Sequence, residues 1–175
     1  MDDLGHFSRR RLLAGLASGG TLVALAGCAE SNTGTEADTD ANGTESEPPA
    51  ADDLDLREAN VVDVAFEATD GGYAFDVTLH HDDDGEEGYA NWWQVERLDG
   101  TRLGRRELLH AHSEQPFTRS ETVAVPEDVA RVVVRGHDQT HGYGGVAALV
   151  AIDDGSVRFI DQGPEPRSFD AGDFS

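Results

Sequence analysis

The chain contains no lysine. All 13 of its basic residues are arginine, and they stand against 35 acidic residues in 175 positions, a formal net charge of −22. Phosphate recognition needs patches of Lys and Arg, so this balance argues against nucleic acid as a partner. An anionic headgroup surface would repel the chain as well. Cysteine occurs once, at Cys28, which leaves neither an intramolecular disulfide nor a thiolate cluster for a metal. No apolar run reaches the roughly 18 residues expected of a membrane-spanning helix; the run from Leu12 to Ala26 is interrupted by Gly15, Gly19 and Gly20. A sustained 3.6-residue period is missing beyond Cys28, which removes helical bundles from consideration. There is no Gly-x-Ser-x-Gly elbow and no Gly-rich phosphate loop between a strand and a helix. Serine hydrolase and nucleotide-binding readings lose their basis.

What is present begins at the N-terminus. Ser8-Arg9-Arg10-Arg11-Leu12-Leu13 leads directly into the apolar run, which ends in Leu25-Ala26-Gly27-Cys28. A positive region, a short apolar stretch and small residues before a cut are the parts of an export signal. As a helix, 15 residues span about 22 Å, short of the roughly 30 Å hydrocarbon core. The Arg pair and its flanks resemble twin-arginine signals, which carry proteins that fold before export. Leu-Ala-Gly-Cys resembles the lipobox of bacterial and archaeal lipoproteins. Together the resemblances imply removal of residues 1–27 and lipid on the Cys28 sulfur. The expected location is the cell membrane, lipid-anchored and facing the extracellular side, with membrane lipid as partner through Cys28.

Removing residues 1–27 takes away two acids and three arginines and leaves 33 acids and 10 arginines. Residues 29–53 hold eight carboxylates and two prolines among Ser, Thr, Asn, Gly and Ala, with no aromatic or large aliphatic side chain. That composition predicts a disordered acidic tether with a coil reach of about 28 Å. Asn42-Gly43-Thr44 is an N-glycosylation acceptor in an exposed setting. The rest of the mature chain is well supplied with Val, Leu, Phe and Trp, so its acidity is that of a folded surface. A folded, very acidic, lysine-free chain resembles proteins of salt-loving archaea.

From Val61 the pattern takes period two. Val62, Val64, Phe66 and Ala68 alternate with Asp63 and Glu67; after Asp70-Gly71-Gly72, Tyr73, Phe75, Val77 and Leu79 alternate with Asp76 and Thr78. This predicts an antiparallel hairpin. A second is expected across Asp99-Gly100, from Trp92 to His110, and a third across Asp153-Asp154-Gly155. Glu121–Val125, ending at Pro126, and Arg131–Arg135 read as further strands. About seven to eight short strands predict an all-β fold, an immunoglobulin-like antiparallel β-sandwich. The expected division is signal peptide 1–27, lipidated Cys28 and linker 28–53, sandwich 54–161, and a loose tail 162–175.

Six histidines lie between His80 and His141. On a strand, residues i and i+2 share a face, so His110 and His112 can present two imidazoles together. His137 and His141 occupy a Gly-rich loop. If the sandwich brings the two segments side by side, His110, His112, His137 and His141 form a site for a transition metal, copper or zinc, with Glu114 and Asp138 as supporting residues. His80-His81 is set aside because adjacent strand residues point apart. An EF-hand reading of the loop around Asp82-Asp83-Asp84-Gly85 puts His80 and Asn91 where acids are required, so a solvated acidic loop is expected there. Of Trp92 and Trp93, one is expected in the core and one exposed.

The segments Leu108–Ser120, Val132–Asp138 and His141–Gly145 resemble a group of exported bacterial and archaeal proteins. That resemblance, over roughly residues 90–150, implies export but no mechanism. Superoxide reductases and blue-copper proteins need a thiolate on the metal, which Cys28 cannot supply. The expected function is therefore a membrane-anchored extracytoplasmic binding domain holding a transition metal through its histidines. The alternatives are a metal-free adhesion or assembly domain that uses an exposed tryptophan or sandwich edge against a cell-surface protein and, less favoured, a metal-dependent redox enzyme.

The charge makes one prediction. Reducing KCl from about 3 M to about 0.1 M lengthens the Debye length to about 10 Å and unscreens the surface acids. The unfolding temperature, followed by circular dichroism, is expected to fall with the salt; an unchanged value would contradict this reading.

Overall fold

A computed structural model describes residues 47–83 and 85–174; the signal, Cys28, Asn42 and most of the tether lie outside these residues. Eight strands form: β1 (Asn60–Thr69), β2 (Gly72–His80), β3 (Ala90–Glu96), β4 (Arg102–Glu107), β5 (Phe117–Val123), β6 (Arg131–Asp138), β7 (Val146–Ala151) and β8 (Val157–Asp161). They make two antiparallel sheets, β1-β2-β5 and β4-β3-β6-β7-β8. The sheets pack face to face as a sandwich with immunoglobulin-like connections, in which the fourth strand pairs with the third rather than the fifth. The three expected hairpins are β1–β2, β3–β4 and β7–β8.

The alternation explains the core. Phe75, Val77 and Leu79 of β2 are fully buried, whereas Asp76 between them is exposed. In β1 the phase slips at a bulge between Val61 and Asp63. Val61 and Val64 therefore both face the core, although they are three residues apart, and Val62 is left half-buried. A bulge inserts one residue and so exchanges the faces on either side of it. Trp93, Val95, Val132, Val134, Ala148 and Val150 meet these residues from the opposite sheet.

β7 (Val-Ala-Ala-Leu-Val-Ala) is buried along its whole length, because the outer face of its sheet is also covered. Residues 162–174, expected as a loose tail, supply the cover. Phe169 is buried against Val133, Ala147 and Leu149, with Leu98, Ile160 and Phe174 alongside. The Phe169 amide donates to Leu98 O at 2.8 Å, and Arg135 Nη2 donates to Arg167 O at 3.0 Å. Sequence alternation is lost here because the segment packs through isolated side chains rather than as a strand. Beneath it lies a buried ion pair, Arg135 Nη2 to Glu96 at 3.0 Å. Burial works against the charged Glu96 and raises its pKa, with Arg135 opposing the shift.

Trp92 and Trp93 are both buried, which corrects the expectation of one exposed ring. Trp92 lies on the outer face, but the Arg105 guanidinium covers it at 3.8 Å and His137 stacks on it at 4.3 Å. Phe169→Ala is expected to cost about 3 kcal/mol through the lost apolar burial, read as a lower denaturation midpoint in molar salt. A cost below about 0.5 kcal/mol, typical of an exposed site, would show that the segment contributes nothing to the fold.

Candidate functional site

One end of the sandwich collects the start of β1, the end of β2, the start of β3, the end of β4, the start of β5, the end of β6 and the start of β7. Most of the polar residues buried in the domain converge there. Asn60 ties the segment before β1 to the neighbouring turns. Its Nδ2 donates to Asp55 O at 2.9 Å and Glu58 O at 2.7 Å, and its Oδ1 accepts from the Val146 amide at 3.1 Å. Gly145 has φ +71°, and a Cβ there would meet Asn60 Oδ1 at 2.5 Å. Glycine is required at 145 for both reasons.

His81 sits at the centre, its side chain 1 % exposed. Nδ1 lies 2.7 Å from Asp83 Oδ1; Nε2 lies 3.2 Å from Arg57 O and 3.2 Å from Asp138 Oδ2. The Asp83 amide also lies 2.8 Å from Nδ1, but Nδ1 has one in-plane position and the charge-assisted bond to the carboxylate takes it. Both ring nitrogens thus face acceptors, an arrangement satisfied by the imidazolium. Burial opposes that charge, yet the hydrogen bond to Asp83 and the charges of Asp83, Asp138 and Asp82 outweigh it and raise the His81 pKa.

Asp83 is the second half of the lock. Its carboxylate is fully buried and accepts from the amides of Ala90, at 3.0 Å, and His112, as well as from His81. Burial raises its pKa, but these bonds prevail and hold the carboxyl below its ordinary value. Its φ of +38° is a conformation that Asp tolerates better than most residues. Far from being a solvated loop residue, Asp83 pins β3 and the β4–β5 connection to the end of β2. The Gln115 side chain reinforces this: Oε1 accepts from the His81 amide at 3.1 Å, and Nε2 donates to His112 O at 3.0 Å.

The four histidines expected to converge are divided. His110 and His112 lie together on residues 108–116, which are not a strand, with ring centroids 4.8 Å apart. His112 is buried and stacked on Phe117 at 3.8 Å. His137 lies on the outer face of the five-stranded sheet, between Trp92 and Tyr143, and its Nδ1 donates to Asn91 Oδ1 at 2.8 Å. Desolvation lowers its pKa, and Arg105 adds to the shift. His141 is half-exposed with Nδ1 3.0 Å from Asp138 Oδ1. Among the described residues no group of three or more His, Cys, Asp and Glu is placed to hold a metal ion. Asp138 accepts from the Thr140 and His141 amides and lies against the rings of His141 and His81. Glu114 is exposed beside His110 and His112.

Two clefts flank that pair. One, of about 400 Å³, is lined by residues 110–119; the other, of about 380 Å³, lies against Arg105, Arg106, Leu109 and Glu121. His110, His112 and Arg119 border both. Leu109 lines the second of them and is 80 % exposed.

His81 was set aside because adjacent strand residues point apart, and Asp83 was missed because Asp82-Asp83-Asp84 reads as a hydrated acidic run. The available signal was the spacing of two between an imidazole and a carboxylate, which lets one turn join them.

Fold and site define an all-β sandwich with a polar lock at one end and a rigid loop projecting from it. A protein of Halomicrobium mukohataei named "Putative lipoprotein" is 50 % identical to the chain, over 94 % of this chain and 96 % of that protein. The chain belongs to the same family as that protein. No protein-family model and no solved structure matches it.

Because folding holds the proton on His81, its contribution to stability is complete below about pH 6.5 and is lost as pH rises through the raised folded-state value. His81→Gln leaves Asp83 and Asp138 facing each other without a cation and is expected to cost about 3 kcal/mol at pH 6. Denaturation midpoints should show this gap narrowing as pH rises through the raised folded-state value and the wild-type imidazolium deprotonates. A gap independent of pH would refute the imidazolium assignment.

Proposed function

We propose that the chain is a lipid-anchored binding domain on the extracytoplasmic side of the membrane, with residues 108–116 as its working surface. A twin-arginine signal exports it, Cys28 carries the lipid, and the acidic segment 29–53 holds the sandwich clear of the headgroups. The family relationship to a protein named as a lipoprotein supports the anchor. Among the described residues no helix is long and apolar enough to cross a membrane.

The observation that carries the binding reading is the contrast between the tip of the connection and its base. Leu109 is 80 % exposed, while Leu108 and His112 on either side are buried. The backbone at His112 is held by Asp83 and Gln115. A lone exposed leucine is ordinary. One that lines a cleft on a loop whose backbone is held at His112 is preorganised, so little conformational entropy is lost when a partner covers it. The partner class is a protein of the cell surface, with Leu109 as the apolar anchor and Arg106 and Arg119 as the polar rim.

Two measurements test this. Cys28→Ser is expected to move the chain from the membrane fraction to the medium; retention in the membrane would overturn lipid anchoring. The released Cys28→Ser chain should co-sediment with cell envelopes stripped of the native protein. Adding Leu109→Asp should weaken that association about tenfold, as loss of a central anchor does, without changing the unfolding temperature. Equal sedimentation of the two would exclude this loop as the binding surface.

A further inference from the structure

We propose that the cleft beside Leu109 receives an acidic segment of the partner protein, whose aspartate or glutamate side chains pair with Arg106 and Arg119. The inference rests on residues 108–116 being the working surface and gives the chemistry of what binds there.

The distribution of charge carries it. The cleft of about 380 Å³ is walled by Arg105, Arg106, Glu107, Arg119 and Glu121 alongside Leu109. It therefore collects three of the ten arginines that follow Cys28 and only two of the 33 acids. In a chain whose surface is acidic nearly everywhere, this wall has the opposite balance.

Two of the three guanidinium groups are short of acceptors. Arg105 is committed: Nε and Nη2 donate to Gln94 Oε1 at 2.8 and 2.5 Å, and the group covers Trp92. Arg106 Nη1 lies 3.6 Å from Glu121, beyond hydrogen-bond distance, and its Nε is buried without a hydrogen-bond partner among the described residues. Arg119 takes part in no ion pair among the described residues. Its Nη1 donates to the neighbouring Thr118 O at 2.7 Å, and the group lies 5.4 Å from the Phe117 ring centre. A guanidinium offers five donors in a planar fork. A carboxylate matches that fork with two charge-assisted bonds, which a neutral amide or hydroxyl cannot do. Acidic side chains are thus the complement of this wall, with Leu109 supplying apolar contact beside them.

The net charge of the domain does not prevent such docking in concentrated salt. At about 1 M the Debye length is about 3 Å, so repulsion by distant acids is screened, while pairs enclosed in a cleft are screened less. Contact with the wall then decides affinity.

The test uses the mature lipidated chain in detergent at about 1 M KCl. A short, fluorescently labelled peptide of Glu, Leu and Gly is titrated and followed by anisotropy, beside the same peptide with Gln in place of Glu. The Glu peptide is expected to bind about tenfold more tightly. Arg119→Gln, with its fold checked by unfolding temperature, should remove most of that difference. Arg102→Gln, on the same strand as Arg106 but outside the cleft, should leave it unchanged. Glu121→Gln takes a competing carboxylate out of the cleft and should tighten the Glu peptide about threefold, a gain that impaired folding cannot imitate. Equal affinity for the two peptides, an undiminished preference in folded Arg119→Gln, or weaker binding in Glu121→Gln would overturn the acidic partner. Dextran sulfate should displace the peptide no better than polyglutamate of equal charge; stronger displacement would assign the cleft to a sulfated glycan and overturn it as well. A chain that sediments through Leu109 yet does not distinguish the peptides loses only the acidic partner, so the two readings fail separately.

Discussion

The constraint on which this end of the molecule depends is the imidazolium of His81 held between Asp83 and Asp138. Isolated burial of a carboxylate costs several kcal/mol, and two facing one another would cost more. One proton on His81 resolves both. Three chain segments distant in sequence, the end of β2, the end of β6 and the stretch before β1, are joined through that ring. Asp83 then extends the connection to β3 and to residues 108–116. The segment beyond the lock has no regular secondary structure, and its backbone is tied down at His112 by Asp83 and Gln115.

A second buried ion pair, Glu96 with Arg135, sits on the outer face of the five-stranded sheet under residues 162–174. The two arrangements differ in their consequences. At the loop end the buried charges organise several segments through hydrogen bonds. Under the C-terminal segment, Arg135 has Nε and Nη1 without hydrogen-bond partners among the described residues and lies over the rings of Tyr143 and Phe169. Its cost is offset by ring contacts and by the apolar cover of Phe169, so the segment is part of the fold rather than an appendage. The tether at the other end of the chain has no such apolar residues and is suited to spacing alone.

The legibility of the sequence follows the range of the physics involved. Period-two alternation and Gly-rich turns are local, so the hairpins around Gly71-Gly72, Asp99-Gly100 and Asp153-Asp154-Gly155 could be read directly. The bulge at Val62 changes the phase of β1 and could not be read, because nothing in Val-Val-Asp-Val marks which valine is the extra one. His110 and His112 have neighbouring rings although they lie on an irregular segment, so the strand spacing from which a shared face was expected does not apply there. Placing His137 in the same site depends on the sandwich bringing its loop beside residues 110–116, which no local spacing encodes. Pairing of Trp92 with His137 across β3 and β6 instead turns that ring onto the outer face. Asp83 was hidden by its acidic neighbours: composition shows a charge run but cannot show which carboxylate turns inward.

By itself the sequence determined the signal and lipobox pattern, the acidic lysine-free surface, the all-β class and the approximate places of the strands. Each of these is a property of composition or of short-range order. Tertiary structure alone decided which histidines meet, which aspartates are buried, that both tryptophans are covered, and that the last residues pack on a sheet. Those outcomes depend on contacts between strands from different hairpins and sheets, and on the desolvation cost of placing charge among them. Neither has a period or a spacing to read along the chain.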